Sequence, residues 1–181
     1  FAQVARSLQK RESVELADAH TRAEVTVAQR KNLRIARFLN RLVFCFFAED
    51  TGLLPKRLFT DLLKTGVDDL HHFAKTLESL FGVMAKGGTY GNDKIRHFNG
   101  HLFEESTVFE LTEEELRKLS DAGEADWQFI QPSIMGTLFQ RALDVPRLVD
   151  AHADVAVAFR ELHEIGQRIH VRLGIAVAVE E

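Results

Sequence analysis

Ala36-Arg-Phe-Leu-Asn-Arg-Leu-Val-Phe-Cys-Phe-Phe-Ala-Glu-Asp-Thr-Gly-Leu-Leu-Pro55 is the stretch that decides the fold. Within it and just before it, Ile35, Phe38, Leu39, Leu42, Val43 and Phe46 recur at steps of three and four residues, the mark of a helix with a buried face. The pattern reaches back to about Glu24, so one long helix is predicted over residues 24–50. Thr51-Gly52 stops it, and Pro55 follows three residues later. Arg30, Arg34, Arg37 and Arg41 recur at steps of four, three and four and fall on the side opposite Leu39. The longest unbroken apolar run, Leu42 to Ala48, is far short of the roughly 20 residues a membrane helix needs, so no membrane is expected.

Working outward, the same period predicts further helices. A short one covers Pro55 to Lys64 and ends at Gly66. The next spans Asp68 to Ala85, with Leu70, Phe73, Leu77, Leu80, Phe81 and Met84 on one stripe and two aspartates in its first turn, where negative charge suits the helix dipole. Gly87 to Gly100 is the least regular stretch, rich in Gly and Asn. Ile95, Phe98, Leu102 and Phe103 are expected to anchor it, and Val108 to Leu111 reads as a short strand or extended piece. Thr112-Glu113-Glu114-Glu115 is a capping box opening a helix that ends near Gly123. Helical patterns continue from Pro132 to about Leu143 and from Val149 to Val171. The expected fold is all-α: a multi-helix, bundle-like domain with one Gly-rich irregular segment and at most a minor two-stranded element. Residues 1–148 form the helical domain and 149–181 a helical tail packed on it. The core should centre on Phe38, Leu42, Phe46, Leu77, Phe81, Trp127, Ile134, Leu138 and Phe139.

Composition narrows the function. The chain has 181 residues, 45% of them hydrophobic and 28% charged, which is ordinary for a folded domain. Its formal net charge of −4 gives no global push toward nucleic acid, so any DNA contact has to come from a local patch. Fourteen Phe against one Tyr and one Trp favours a packed scaffold over a surface built for sugars or extruded bases. One Cys excludes an internal disulfide framework and a multi-Cys zinc site, and a cytoplasmic setting is expected.

Catalytic motifs are missing. No Lys follows an acidic residue at the two-residue spacing that metal-dependent nucleases use to set carboxylates and Lys around Mg²⁺. No Gly-Lys-Ser/Thr phosphate loop occurs, and the glycines from Gly82 to Gly91 do not follow a strand as a dinucleotide fingerprint would. The prolines are isolated, which excludes the Pro-Pro-aromatic motif of an amino-methyltransferase. His97 and His101 have the spacing of two metal ligands on a helix, but Gly100 lies between them, and His71-His72 cannot share a helical face. Cys45 sits in a Phe-rich run and reads as a small buried hydrophobe. No catalytic, cofactor-binding or metal residue is therefore assigned. The arginine stripe remains, either as a solvated or ion-paired face or as a row of phosphate contacts; Arg30, Arg34, Arg37 and Arg41 are the DNA-contact candidates.

Three strings carry a resemblance: the opening stretch, Phe98-Asn-Gly-His-Leu-Phe103, and Asp126-Trp-Gln-Phe-Ile-Gln-Pro-Ser-Ile-Met-Gly-Thr-Leu-Phe-Gln-Arg-Ala-Leu143. Together they resemble the helical spacer of MmeI-type single-chain restriction–modification enzymes and of related phage-defence adenine methyltransferases. The resemblance covers about residues 24 to 148. It implies a non-catalytic connector in a DNA-modifying protein, a parent that is a DNA methyltransferase with or without endonuclease activity, and partners that are adjacent methyltransferase or nuclease domains and double-stranded DNA held weakly by its backbone. S-adenosylmethionine is implied for the parent only. Val149-Asp-Ala-His-Ala-Asp154 departs from the family's Gly-Ala-His-Tyr-Thr string, and no cofactor motif follows. The alternative is a stand-alone module that binds DNA backbone through the arginine-lined helix. With neither reaction's motif present, the purified chain is expected to show neither methyl transfer to DNA nor Mg²⁺-dependent cleavage; turnover that co-purifies with the chain and is absent from a control preparation would contradict this.

Overall fold

The structure is a computed structural model that describes residues 1–13, 22–98, 102–104 and 107–127. In chain order these form α1 (Ala2–Ser13), α2 (Arg22–Asp50), α3 (Leu58–Gly66), α4 (Leu70–Lys86), β1 (Gly88–Tyr90), β2 (Asp93–Ile95) and α5 (Glu113–Ala122). The fold is all-α with a minor two-stranded antiparallel sheet, as the helical period predicts.

The axis of the domain is α2. The periodicity gives it one buried face; the structure buries every residue from Phe38 to Glu49. The reason lies in the Leu42–Ala48 run, which places apolar side chains on all sides, and a helix that is apolar all round has to be enclosed. Each phenylalanine reaches a different neighbour. Phe38 meets Phe81 of α4 at 6.5 Å and Phe109 at 5.4 Å between ring centroids. Phe44 meets Phe98 at 5.5 Å and Phe103 at 5.2 Å. Phe46 meets Phe59 of α3 at 4.8 Å and stacks on Trp127 at 5.0 Å. Most of these contacts are edge-to-face, the arrangement the ring quadrupole prefers.

The helix ends follow local chemistry. Gly52 has φ 74°, the Gly52 N–H donates to the Glu49 carbonyl at 3.1 Å, and the Leu53 N–H donates to the Ala48 carbonyl at 2.8 Å. That is a Schellman motif, with glycine in the left-handed position it needs. Asp69 is the N-cap of α4, not part of its first turn, and accepts from the His72 N–H at 2.9 Å. The Thr112 capping box forms as predicted, with Glu115 Oε2 accepting from the Thr112 N–H at 2.8 Å. In the Gly-rich stretch, Tyr90 pairs with Asp93 across Gly91-Asn92, and Gly91 supplies the positive φ of 58°. Ile95, Phe98, Leu102 and Phe103 are buried anchors, whereas Val108 to Leu111 joins no sheet.

α1 was not among the helices read from the sequence. Only Val4, Ala5 and Leu8 are buried on it, too sparse a stripe to establish a period. It runs antiparallel to α2: the Lys31 ammonium donates to the Glu12 carbonyl at 3.2 Å at one end, and the Phe1 ring meets Phe46 at 5.9 Å at the other. Of the expected core, Phe38, Leu42, Phe46, Leu77, Phe81 and Trp127 are buried. Ile134, Leu138, Phe139, the helical patterns over 132–143 and 149–171, and the boundary at 148/149 lie outside the described residues.

Two substitutions test this packing. Phe46→Ala should destabilise by about 3–5 kcal/mol, the range for a large aromatic removed from a core. Gly66→Ala should cost about 1–3 kcal/mol, the range for overpacking, because an added Cβ would sit 2.4 Å from Cδ2 of the buried Phe73 ring. Denaturant melts check both, and wild-type midpoints would show that the enclosing face is misassigned.

Candidate nucleic-acid interface

The four arginines do not share one exposed face. Arg30 and Arg34 are exposed, Arg37 is half-buried, and Arg41 is 1% exposed. The stripe runs from solvent into the core because the 107–111 segment crosses it. Arg34 lies over the Phe109 ring at 5.9 Å, and Arg41 donates through Nη2 to the Thr107 carbonyl at 3.0 Å. Arg41 also faces the Phe81 ring at 5.2 Å, an arrangement worth more when the cation is desolvated. Spacing on the helix correctly puts these side chains on one side; it carries no information on which chain segment covers that side. Arg41 has no surface to offer a phosphate; the exposed part of the stripe is Arg30 and Arg34, with Arg37 half-buried beside them.

Glu49 and Asp50 at the end of α2, and Glu115 in the cap of α5, hold other segments of the fold. Glu49 accepts through Oε2 from the Thr60 hydroxyl at 2.6 Å and from the Thr60 N–H at 3.2 Å. Thr60 is the third residue of α3, and the residue at the N-cap position, Arg57, supplies no side-chain cap and has φ 64°. Glu49 thus caps α3 from the preceding helix. Asp50 accepts through Oδ2 from the Trp127 N–H at 2.7 Å, which fastens the Asp126-Trp127 string to the end of α2. Glu115 faces Arg11 of α1 at 3.3 Å, and Arg11 also donates to the Glu110 carbonyl at 2.8 Å. The capping box was legible as a local motif; its long-range partner was not.

Cys45 is buried, with Sγ 3.9 Å from Met84 Sδ, and burial pushes its thiol far above the ordinary range, so it packs and does not attack. His71, His72 and His97 are exposed, and His101 lies outside the described residues. Among the described residues no three His, Cys, Asp or Glu side chains gather as a metal cluster requires, and no helix is long and apolar enough to cross a membrane.

Comparison with known proteins agrees with the resemblance read from the sequence. Residues 33–103 match the family described as "MmeI, helicase spacer domain". Over 111 residues the chain is 35% identical to DNA methyltransferase A of Bacillus subtilis (strain 168), a span covering 57% of this chain and 12% of that protein. The chain therefore corresponds to a small part of the relative's length. No solved structure matches.

The Glu49 carboxyl is raised above its usual value of 4.5, mainly by burial and further by the Asp50 charge, while the Thr60 bonds pull it back in part. Its effect on stability has a definite sign. A raised folded value means the favourable contribution is complete below the unfolded value and is lost as pH rises through the folded one. Glu49→Gln keeps an oxygen for Thr60 and removes the charge. Its melting temperature relative to wild type should therefore climb as pH rises from about 4 to 7, and parallel pH profiles for the two proteins would contradict this.

Proposed function

We propose that this chain is a non-catalytic helical connector of a DNA-modifying protein, of the adenine-N6 methyltransferase or restriction–modification kind, and that it positions catalytic domains on DNA. The match of residues 33–103 to the spacer family and the similarity to a DNA methyltransferase support this reading. The observation that carries it is α2. Its 29 residues make a rod about 43 Å long at 1.5 Å per residue, enclosed along its C-terminal half. Around that rod the polar side chains that could serve chemistry are spent on the fold: Arg41 on Thr107, Glu49 on Thr60, Asp50 on Trp127 and Glu115 on its own capping box. A body built this way transmits position. The partners are the adjacent methyltransferase or nuclease domains of the parent, and S-adenosylmethionine belongs to the parent's catalytic domain.

DNA contact falls to Arg30 and Arg34. They lie one helical turn apart, about 6 Å along the axis, and are exposed. Contacts of this kind neutralise phosphates without reading bases, so affinity drops steeply with salt. Their exposure also favours the second reading, a stand-alone backbone-binding module. The two readings separate on the isolated chain: a module binds non-specific duplex as tightly alone as within the parent, and a connector does not.

In the parent protein, Arg30→Ala with Arg34→Ala should weaken non-specific duplex binding and lower the salt slope by about one per lost contact, with the melting temperature unchanged. Arg41→Ala should do the reverse, lowering the melting temperature through loss of a buried, bonded cation. A double variant with wild-type affinity and salt slope but a lowered melting temperature would make the whole stripe a folding feature.

A further inference from the structure

We infer that the described residues between 1 and 127 form a lobe in which positions 1 and 127 lie together at one pole, with the exposed arginines at the opposite pole, and not a rod strung between neighbouring domains. The first and last described residues meet. The Phe1 ring lies 5.4 Å from Trp127 and 5.9 Å from Phe46, and Phe46 and Trp127 stack at 5.0 Å. Asp50 bonds the Trp127 backbone, and Trp127 Nε1 donates to the Ala122 carbonyl at 2.8 Å, so the exit point is fixed to both α2 and α5. Gly123 lets the rings come this close, since a Cβ there would meet Phe46 Cε1 at 2.7 Å.

The path of the chain sets up this arrangement. α1 leads away from the aromatic pole and ends where Lys31 meets Glu12 and Arg11 meets Glu110 and Glu115. α2 returns from that distal end to Phe46. α5 begins beside Arg11 and also runs back, toward Trp127. Three helices thus connect two poles, and positions 1 and 127 share one of them. Any chain that precedes residue 1 or continues past 127 joins the lobe there. Arg30 sits beside Lys31 at the other pole, sixteen residues before Phe46 on α2, or about 24 Å along the axis.

The consequence for neighbouring domains rests on the connector reading: the lobe sets their orientation and reaches outward with its cationic tip, and does not hold them apart by its length. The partner that fits the tip is a polyanion backbone, and the partner that fits the aromatic pole is the protein's own neighbouring domains.

Spin-label distances on the full 181-residue chain test the geometry without DNA or neighbouring domains. Ala2, Arg30 and Ala125 are exposed and accept labels, while Cys45 is buried, so a count of two spins per chain checks the labelling. The Ala2→Cys/Ala125→Cys pair should give a narrow distribution at clearly shorter distance than the Arg30→Cys/Ala125→Cys pair. A 2–125 distance equal to or longer than the 30–125 distance overturns the lobe. Should either labelled variant fail to melt cooperatively, Gln3→Cys with Glu124→Cys measures the same closure from exposed neighbours, under the same criterion. Failure of the connector reading shows separately, as an isolated chain that binds non-specific duplex as tightly as the parent does, beside a short 2–125 distance.

Discussion

A helix with no solvent-facing side can exist only inside something, and from Phe38 to Glu49 α2 is such a helix. The other elements can be understood as its enclosure. α1, α3, α4 and residues 102–103 and 108–111 contribute apolar side chains to the core cluster around it, and the phenylalanines fill the space between without a polar group that would need a partner. The arrangement creates one electrostatic problem. α2 ends in Glu49 and Asp50 and has no basic residue in its last turn, so two carboxylates sit where the helix dipole is already negative. Glu49 meets this by capping α3 through Thr60, and Asp50 by accepting the Trp127 N–H. The charges that are worst placed for their own helix are the ones that fasten the neighbouring segments to it.

Much of the local structure was legible. The period of Phe73, Leu77, Leu80 and Met84 gives α4, Thr112 through Glu115 gives the start of α5, and Thr51-Gly52 gives the end of α2, because each is decided by contacts within a few residues. What could not be read depends on contacts far apart in sequence. Three- and four-residue spacing looks the same for a helix buried on one side and for one buried on all, so the enclosure of α2 needed the structure, although the apolar run at Leu42–Ala48 was its signature. The division of the arginine stripe was hidden for the same reason. Four arginines at helical spacing define a direction, and only the crossing of Thr107 and Phe109 decides that Arg41 lies inside and Arg30 outside. Asp50 and Trp127 are 77 residues apart, and no local pattern announces their bond.

The division of the stripe joins the folding account to the functional one. A buried guanidinium that has been taken out of water is expensive to maintain and contributes through its hydrogen bond and the Phe81 ring. An exposed one costs the fold little and keeps its charge in contact with solvent, screened over about 10 Å in ordinary salt. One row of arginines thus serves the core at one end and offers a charged tip at the other, with the enclosed part of α2 as the rigid link between them.

The claim on which all this depends is that the C-terminal half of α2 is the enclosed axis of the domain. Native-state hydrogen exchange tests it directly. The backbone amides of residues 38–48 should exchange only through global unfolding, with one shared protection factor and the strongest dependence on denaturant in the chain. Exchange of those amides through local opening, at rates like those of the exposed β1–β2 hairpin while other helices stay protected, would contradict it.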